Sequence, residues 1–129
     1  PGGTVYYMNS NGKIGICFEC GYIRNPQSIK IAEEGIFAFL KARGHITNDF
    51  VLQRQSYVQM FKKYFAKTDK FILAKPFENF EEVKENQHIG IDGQEEIKSP
   101  KRSLILFAHS STKVGDEVFL LGEKKESLV

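Results

Sequence analysis

Tryptophan is absent from this chain, cysteine occurs twice, proline four times, and no apolar run approaches the length of a membrane span. Each shortage excludes something. Two cysteines cannot build a disulfide framework, so the fold has to rest on its core and a reducing, cytoplasmic or intracellular setting is expected. Without an apolar stretch of about 20 residues, no membrane partner is expected. The opening PGGTVYY lacks a basic segment followed by an apolar core, so no signal peptide is expected there. A strong charge of one sign is lacking as well, since the net charge is +2.

The chain does carry 11 Phe and 5 Tyr within 129 residues that are 41% hydrophobic. Disordered chains are poor in aromatics, so this is globular composition, and the length suits one domain spanning residues 1–129. The charges are unevenly placed. Residues 41–75 hold eight Lys and Arg against two acids, a net +6, and residues 76–99 hold seven acids against two Lys, a net −5. A basic stretch therefore runs directly into an acidic one.

Periodicity gives the expected elements. TVYYMN and IGICFECG flank Asn11-Gly12, the dipeptide preferred in tight hairpins, and predict two strands. In the second, Ile14, Ile16, Phe18 and Cys20 share one face. Ser28 is placed to cap a helix to about Arg43, with Ile29, Ala32, Ile36, Phe39 and Leu40 as its apolar stripe and Gly44 as its C′ residue. After the corner RGHITNDF, Thr47 or Asn48 would cap a second helix over residues 48–70, striped by Val51, Val58, Phe61 and Phe65. KFILAKP, HIGID with QEEIK across an Asp92-Gly93 turn, SLILFAH and DEVFLLG then read as strands, the last two paired, and residues 123–129 as a frayed tail. The expected fold is α+β, with order ββ-αα-ββββ: an antiparallel sheet of five to six strands and two consecutive amphipathic helices on one face.

Chemistry-bearing motifs are sparse. Cys17-Phe18-Glu19-Cys20 is a CxxC, but residues three apart in a strand point to opposite faces, and a structural zinc needs two further ligands. Cys17 and Cys20 are thus the metal candidates of a chain in which no metal or cofactor is expected. His109 beside Ser110, and His45 four residues before Asp49, are the candidates for a hydrolase-like site, although no GxSxG or HExxH accompanies them. A helix, a Gly-containing corner and a basic helix can also bind nucleic acid, through Arg54, Lys62, Lys63, Lys67 and Lys70 on phosphates and Tyr57 and Tyr64 on bases. The leading expectation is a small non-enzymatic interaction or regulatory module that binds a protein partner, or a second copy, through a charged surface. Nucleic-acid binding through the basic helix and a His-dependent hydrolase are the alternatives.

Overall fold

The computed structural model describes residues 2–21, 23–47 and 55–126. Contacts divide the chain into two compact units, Pro1–Gln53 and Arg54–Val129.

Among its described residues the N-terminal unit holds two helices, α1 (Thr4–Ser10) and α2 (Pro26–Ala42). The predicted hairpin does not form, because Asn11-Gly12 ends a helix instead of turning a strand. Gly12 takes φ 67°, its N–H donates to Asn9 O at 3.2 Å, and the Lys13 N–H donates to Met8 O at 2.9 Å. These crossed bonds are the Schellman closure, which needs the same left-handed glycine that a hairpin turn would. α2 begins two residues before the expected Ser28 cap. Asn25 accepts from the Gln27 N–H at 3.0 Å, and Pro26 supplies a first-turn residue whose missing N–H costs nothing. Its end repeats the closure of α1: Gly44 N–H to Lys41 O and His45 N–H to Leu40 O, both 2.9 Å. The opening of RGHITNDF is therefore a helix terminator, while Asn48, Asp49 and Phe50 lie outside the described residues.

Between the helices, Lys13–Cys20 contains no helix, turn or bend, and no non-glycine residue there has positive φ, so the run is close to extended. It passes between the two helices. A Cβ added to Gly15 would stand 2.9 Å from Val5 Cα on α1, and one added to Gly35 on α2 would stand 2.2 Å from Phe18 Cε1. The Phe18 ring rests on the bare backbone of Gly35.

The regular elements among the described residues of the C-terminal unit are strands: β1 (Tyr57–Phe65), β2 (Phe71–Leu73), β3 (Glu81–Val83), β4 (His88–Asp92), β5 (Glu95–Lys98), β6 (Ser103–Leu106) and β7 (Glu117–Lys125). One sheet has the order β1-β7-β6-β3 and the other β2-β4-β5, with every pairing antiparallel. The sheets close over one core, in which Phe71 and Ile89 from the smaller meet Val83, Ile105, Phe119 and Leu121 from the larger. The α+β class and the antiparallel pairing hold. The expected order ββ-αα-ββββ and single sheet do not: among the described residues two helices precede seven strands in two sheets.

The second helix is the largest correction, since Tyr57–Phe65 is β1. Its pairing with β7 slips between Met60 and Lys62, leaving Phe61 as the extra residue of a bulge. A bulge inserts a step of three into a period of two, and Val58, Phe61 and Phe65 thereby acquire helix-like spacing. Aromatic and β-branched residues favour the pleated alternative once β7 supplies the ladder. β6 and β7 pair as expected, and β4 and β5 form the expected hairpin, with Gly93 at φ 64° in its turn. SLILFAH stops early, after Leu106, where Phe107 takes φ 54° and gives its N–H to Asn79 Oδ1 at 2.8 Å. The C-terminal stretch expected to fray from residue 123 stays in β7 up to Lys125, and residues 127–129 lie outside those described.

Candidate functional site

His109 sits just beyond β6, facing the loop that leads into β7. Its Nδ1 contacts Phe107 O at 2.9 Å and its Nε2 contacts Asp116 Oδ2 at 3.2 Å. A carbonyl and a carboxylate can only accept, so the form that satisfies both contacts is the protonated ring, with a hydrogen on each nitrogen. The Phe107 carbonyl, and then Asp116 against the opposing effect of partial burial, raises the His109 pKa above its usual value. In that form the ring has no lone pair with which to activate a hydroxyl. The hydroxyls face elsewhere: Ser111 donates to Asp116 Oδ2 at 2.7 Å, and Ser110 Oγ accepts from the Leu73 N–H at 3.0 Å. The cluster ties β2, the loop after β6 and the start of β7 together. Asp116 was not singled out from the sequence; its signal was a carboxylate seven residues beyond His109, across a turn made by Gly115 at φ 81°.

A pH dependence follows. A folded pKa above the unfolded value of about 6.5 gives stability that is complete below that value and is lost as pH rises through the folded pKa. The difference in urea midpoint between wild type and His109→Asn should therefore shrink from pH 6 towards pH 8. A difference that grows with pH would contradict the raised pKa.

The remaining histidines are placed apart from this cluster. His88 on β4 contacts Gly90 O through Nε2 at 2.9 Å and lies 3.9 Å from Glu96 through Nδ1. His45, in the N-terminal unit, is exposed, and its proposed companion Asp49 lies outside the described residues. Cys17 and Cys20 are free thiols. Cys17 donates to Glu19 Oε1 at 3.4 Å; that bond, with the carboxylate's charge, pushes the thiol pKa up, away from an activated thiolate. Among the described residues no group of three or more His, Cys, Asp or Glu is arranged to hold a metal ion.

The basic residues named from the sequence divide among different roles. Tyr64 is 7% exposed and stacked on Phe119, so its ring is not offered to a base. Tyr57 and Lys62 are half-buried on β1, and Arg54 lies outside the described residues. Lys63 pairs with Glu117 at 3.3 Å, Lys67 with Glu95 at 2.7 Å, and Lys75 with Glu81. Lys70 is exposed without a carboxylate partner among the described residues. The basic and acidic segments thus meet inside one unit, through Lys67–Glu95 and Lys75–Glu81. Pairing of this kind cancels field rather than projecting it at an anion.

Asp92, expected only as a turn residue, is a buried carboxylate with four donors. Oδ2 accepts from the Tyr64 hydroxyl at 3.0 Å and the Lys67 N–H at 2.7 Å; Oδ1 accepts from the Thr68 N–H at 3.0 Å and Thr68 Oγ1 at 2.5 Å. Burial pushes the carboxyl pKa up, but the bonds from Thr68, Lys67 and Tyr64 outweigh it and hold the pKa below the usual value. Every lone-pair site faces a protein donor, which makes Asp92 an anchor rather than a reactive group.

The N-terminal unit presents a different kind of surface. None of the fully buried side chains belongs to α1 or α2. Ile14 is 78% exposed, Ile16 63%, Ile29 75% and Ile36 60%, with Phe18, Phe37 and Phe39 about half exposed. A groove of about 610 Å³ runs between the extended segment and α2, lined by Ile16, Phe18, Ile31, Ile36, Phe39 and Leu40, with Glu34 as the polar side chain in its lining. Isolated exposed apolar residues are ordinary, but a contiguous set is the mark of an association surface. No protein-family model, curated protein or solved structure matches the chain.

Proposed function

We propose that the chain is a small interaction or regulatory module that binds a protein partner, and that the partner surface is the apolar face of the N-terminal unit. The observation that carries this reading is the exposure of Ile14, Ile16, Ile29 and Ile36 beside an apolar groove. Covering apolar surface contributes about 25 cal/mol per Å², and the charged pair at this face, Lys30–Glu34, is a solvent-exposed one at 3.8 Å. The charged surface first favoured for this role is largely neutralised within the C-terminal unit. For nucleic-acid binding, Lys63 and Lys67 are already paired with acids and Tyr64 is buried; for a hydrolase, the contacts of His109 favour its protonated form over a free base. The free thiols fit a reducing, intracellular setting.

The test combines an apolar dye with mass. An apolar face left open should enhance anilinonaphthalene-sulfonate fluorescence; one covered by another molecule should raise the mass seen by light scattering. At least one signal is expected for the wild type and should fall at least several-fold in Ile36→Asp/Phe39→Asp. The near-ultraviolet dichroism of the C-terminal unit should not change. Absence of both signals in the wild type would end the reading.

A further inference from the structure

The groove names a face; the extended segment beside it names an occupant. We infer that the partner is a second copy of this chain, paired antiparallel through Lys13–Glu19 about a two-fold axis at Ile16. This inference rests on the interaction-module reading above.

The free edge is the first argument. Ile14–Cys20 makes no backbone–backbone hydrogen bond to a described residue, and the Gly15 N–H is taken by Asn9 Oδ1 at 2.9 Å. Peptide groups of an extended run alternate between its two edges. Asn9 therefore stands on the edge of the odd-numbered residues. The N–H and C=O groups of Ile14, Ile16 and Phe18 point the other way, where the nearest polar side chain in contact is the weakly donating Cys20 thiol, 3.7 Å from Phe18 O. Unpaired edges of this kind recruit strands.

Charge and side-chain register give the second argument. With Ile16 opposite its own copy, Ile14 faces Phe18, Gly15 faces Cys17, and Lys13 faces Glu19. Each opposite pair shares a face, so the axis creates an ion pair at both ends of the ladder and an apolar stripe between them. Neither Lys13 nor Glu19 has an ion-pair partner among the described residues. Moving the axis to Cys17 would set Lys13 against Gly21 and Glu19 against Gly15, and would use the edge that Asn9 occupies. Parallel pairing in register would oppose Glu19 to Glu19. Only the Ile16 axis uses both the open edge and the charges. It also brings the two α2 helices to the same face of the new ladder, over Ile14, Ile16 and Phe18.

Light scattering across a dilution series of the full chain is expected to give a dimer mass at micromolar concentration. Lys13→Glu should raise the dissociation constant roughly tenfold, the scale of two cross-strand ion pairs turned repulsive, and Lys13→Glu/Glu19→Lys should restore it. In a Cys17→Ser/Cys20→Ser background, Ile16→Cys should form an interchain disulfide under mild oxidation. Residues in a hydrogen-bonded antiparallel pair have Cα atoms about 5.5 Å apart, within disulfide reach. Ile14→Cys should not cross-link. A monomer at every concentration that still binds the dye would overturn the second copy while leaving the apolar partner surface standing. A dimer indifferent to the Lys13/Glu19 exchange and uncross-linked by Ile16→Cys would overturn the pairing.

Discussion

Asp92→Ala is expected to cost the C-terminal unit roughly 3–4 kcal/mol of unfolding free energy, read from the urea midpoint at neutral pH. The figure comes from what the carboxylate leaves behind. The Tyr64 hydroxyl, two backbone N–H groups and Thr68 Oγ1 all point at its oxygens, and Asp92 itself is 2% exposed. An alanine accepts nothing, and each buried donor left unpaired costs about 1–3 kcal/mol unless water reaches it. Asp92→Asn keeps one acceptor oxygen but turns an NH2 towards donors, so it should fall between alanine and wild type. The acid dependence has a definite sign. A folded pKa below the unfolded value of about 3.9 gives stability that is present above that value and is lost as pH falls through the folded one. The gap between wild type and Asp92→Asn should therefore narrow in acid. A loss under about 1 kcal/mol for Asp92→Ala at neutral pH would mean the cluster is incidental to the fold.

Phe119→Ala should be equally damaging, at about 3–5 kcal/mol. Phe119 is 1% exposed on β7, with its ring stacked on Tyr64 at a centroid distance of 5.1 Å and tilted against Phe71 at 6.1 Å. Tyr64 and Phe119 belong to the larger sheet and Phe71 to the smaller, so this ring fills the join between the two sheets. Its removal leaves a void that close-packed neighbours can only partly refill. Tyr64 connects the two substitutions, donating to Asp92 while stacking on Phe119. The double variant should cost less than the sum of the single ones, since either change already loosens Tyr64. Full additivity would place the hydroxyl and the ring in independent regions of the core.

Some of this architecture could be read from the sequence because the signals were local. Asp92-Gly93 between short β-rich runs marked the β4–β5 hairpin, and the near-continuous apolar stretch Ser103–Leu106 marked a strand whose four residues are all buried. α2 was visible in its stripe and in Gly44. What failed depended on a choice that local chemistry leaves open. A left-handed glycine after asparagine serves a hairpin or a Schellman cap equally, and the outcome at Gly12 was a cap. The bulge at Phe61 disguised a strand as a helix, and only pairing with β7, some sixty residues away in the chain, reveals it. The His109–Asp116 contact and the four donors of Asp92 are likewise products of the folded topology. The charge boundary was visible, and its cancellation through Lys67–Glu95 required the two segments to be set side by side.

The position of β7 has a consequence for how the chain comes to be folded. β7 lies between β1 and β6 in the larger sheet and supplies Val118, Phe119 and Leu121 to the core. It is also the last of the described strands in chain order. Until residues near Lys125 have left the ribosome, β1 has no ladder partner and β6 is paired on one side only. Before then the larger sheet is a set of unpaired strand edges carrying Tyr, Phe and Ile, so its assembly waits for β7 and proceeds by long-range closure, the slowest kind.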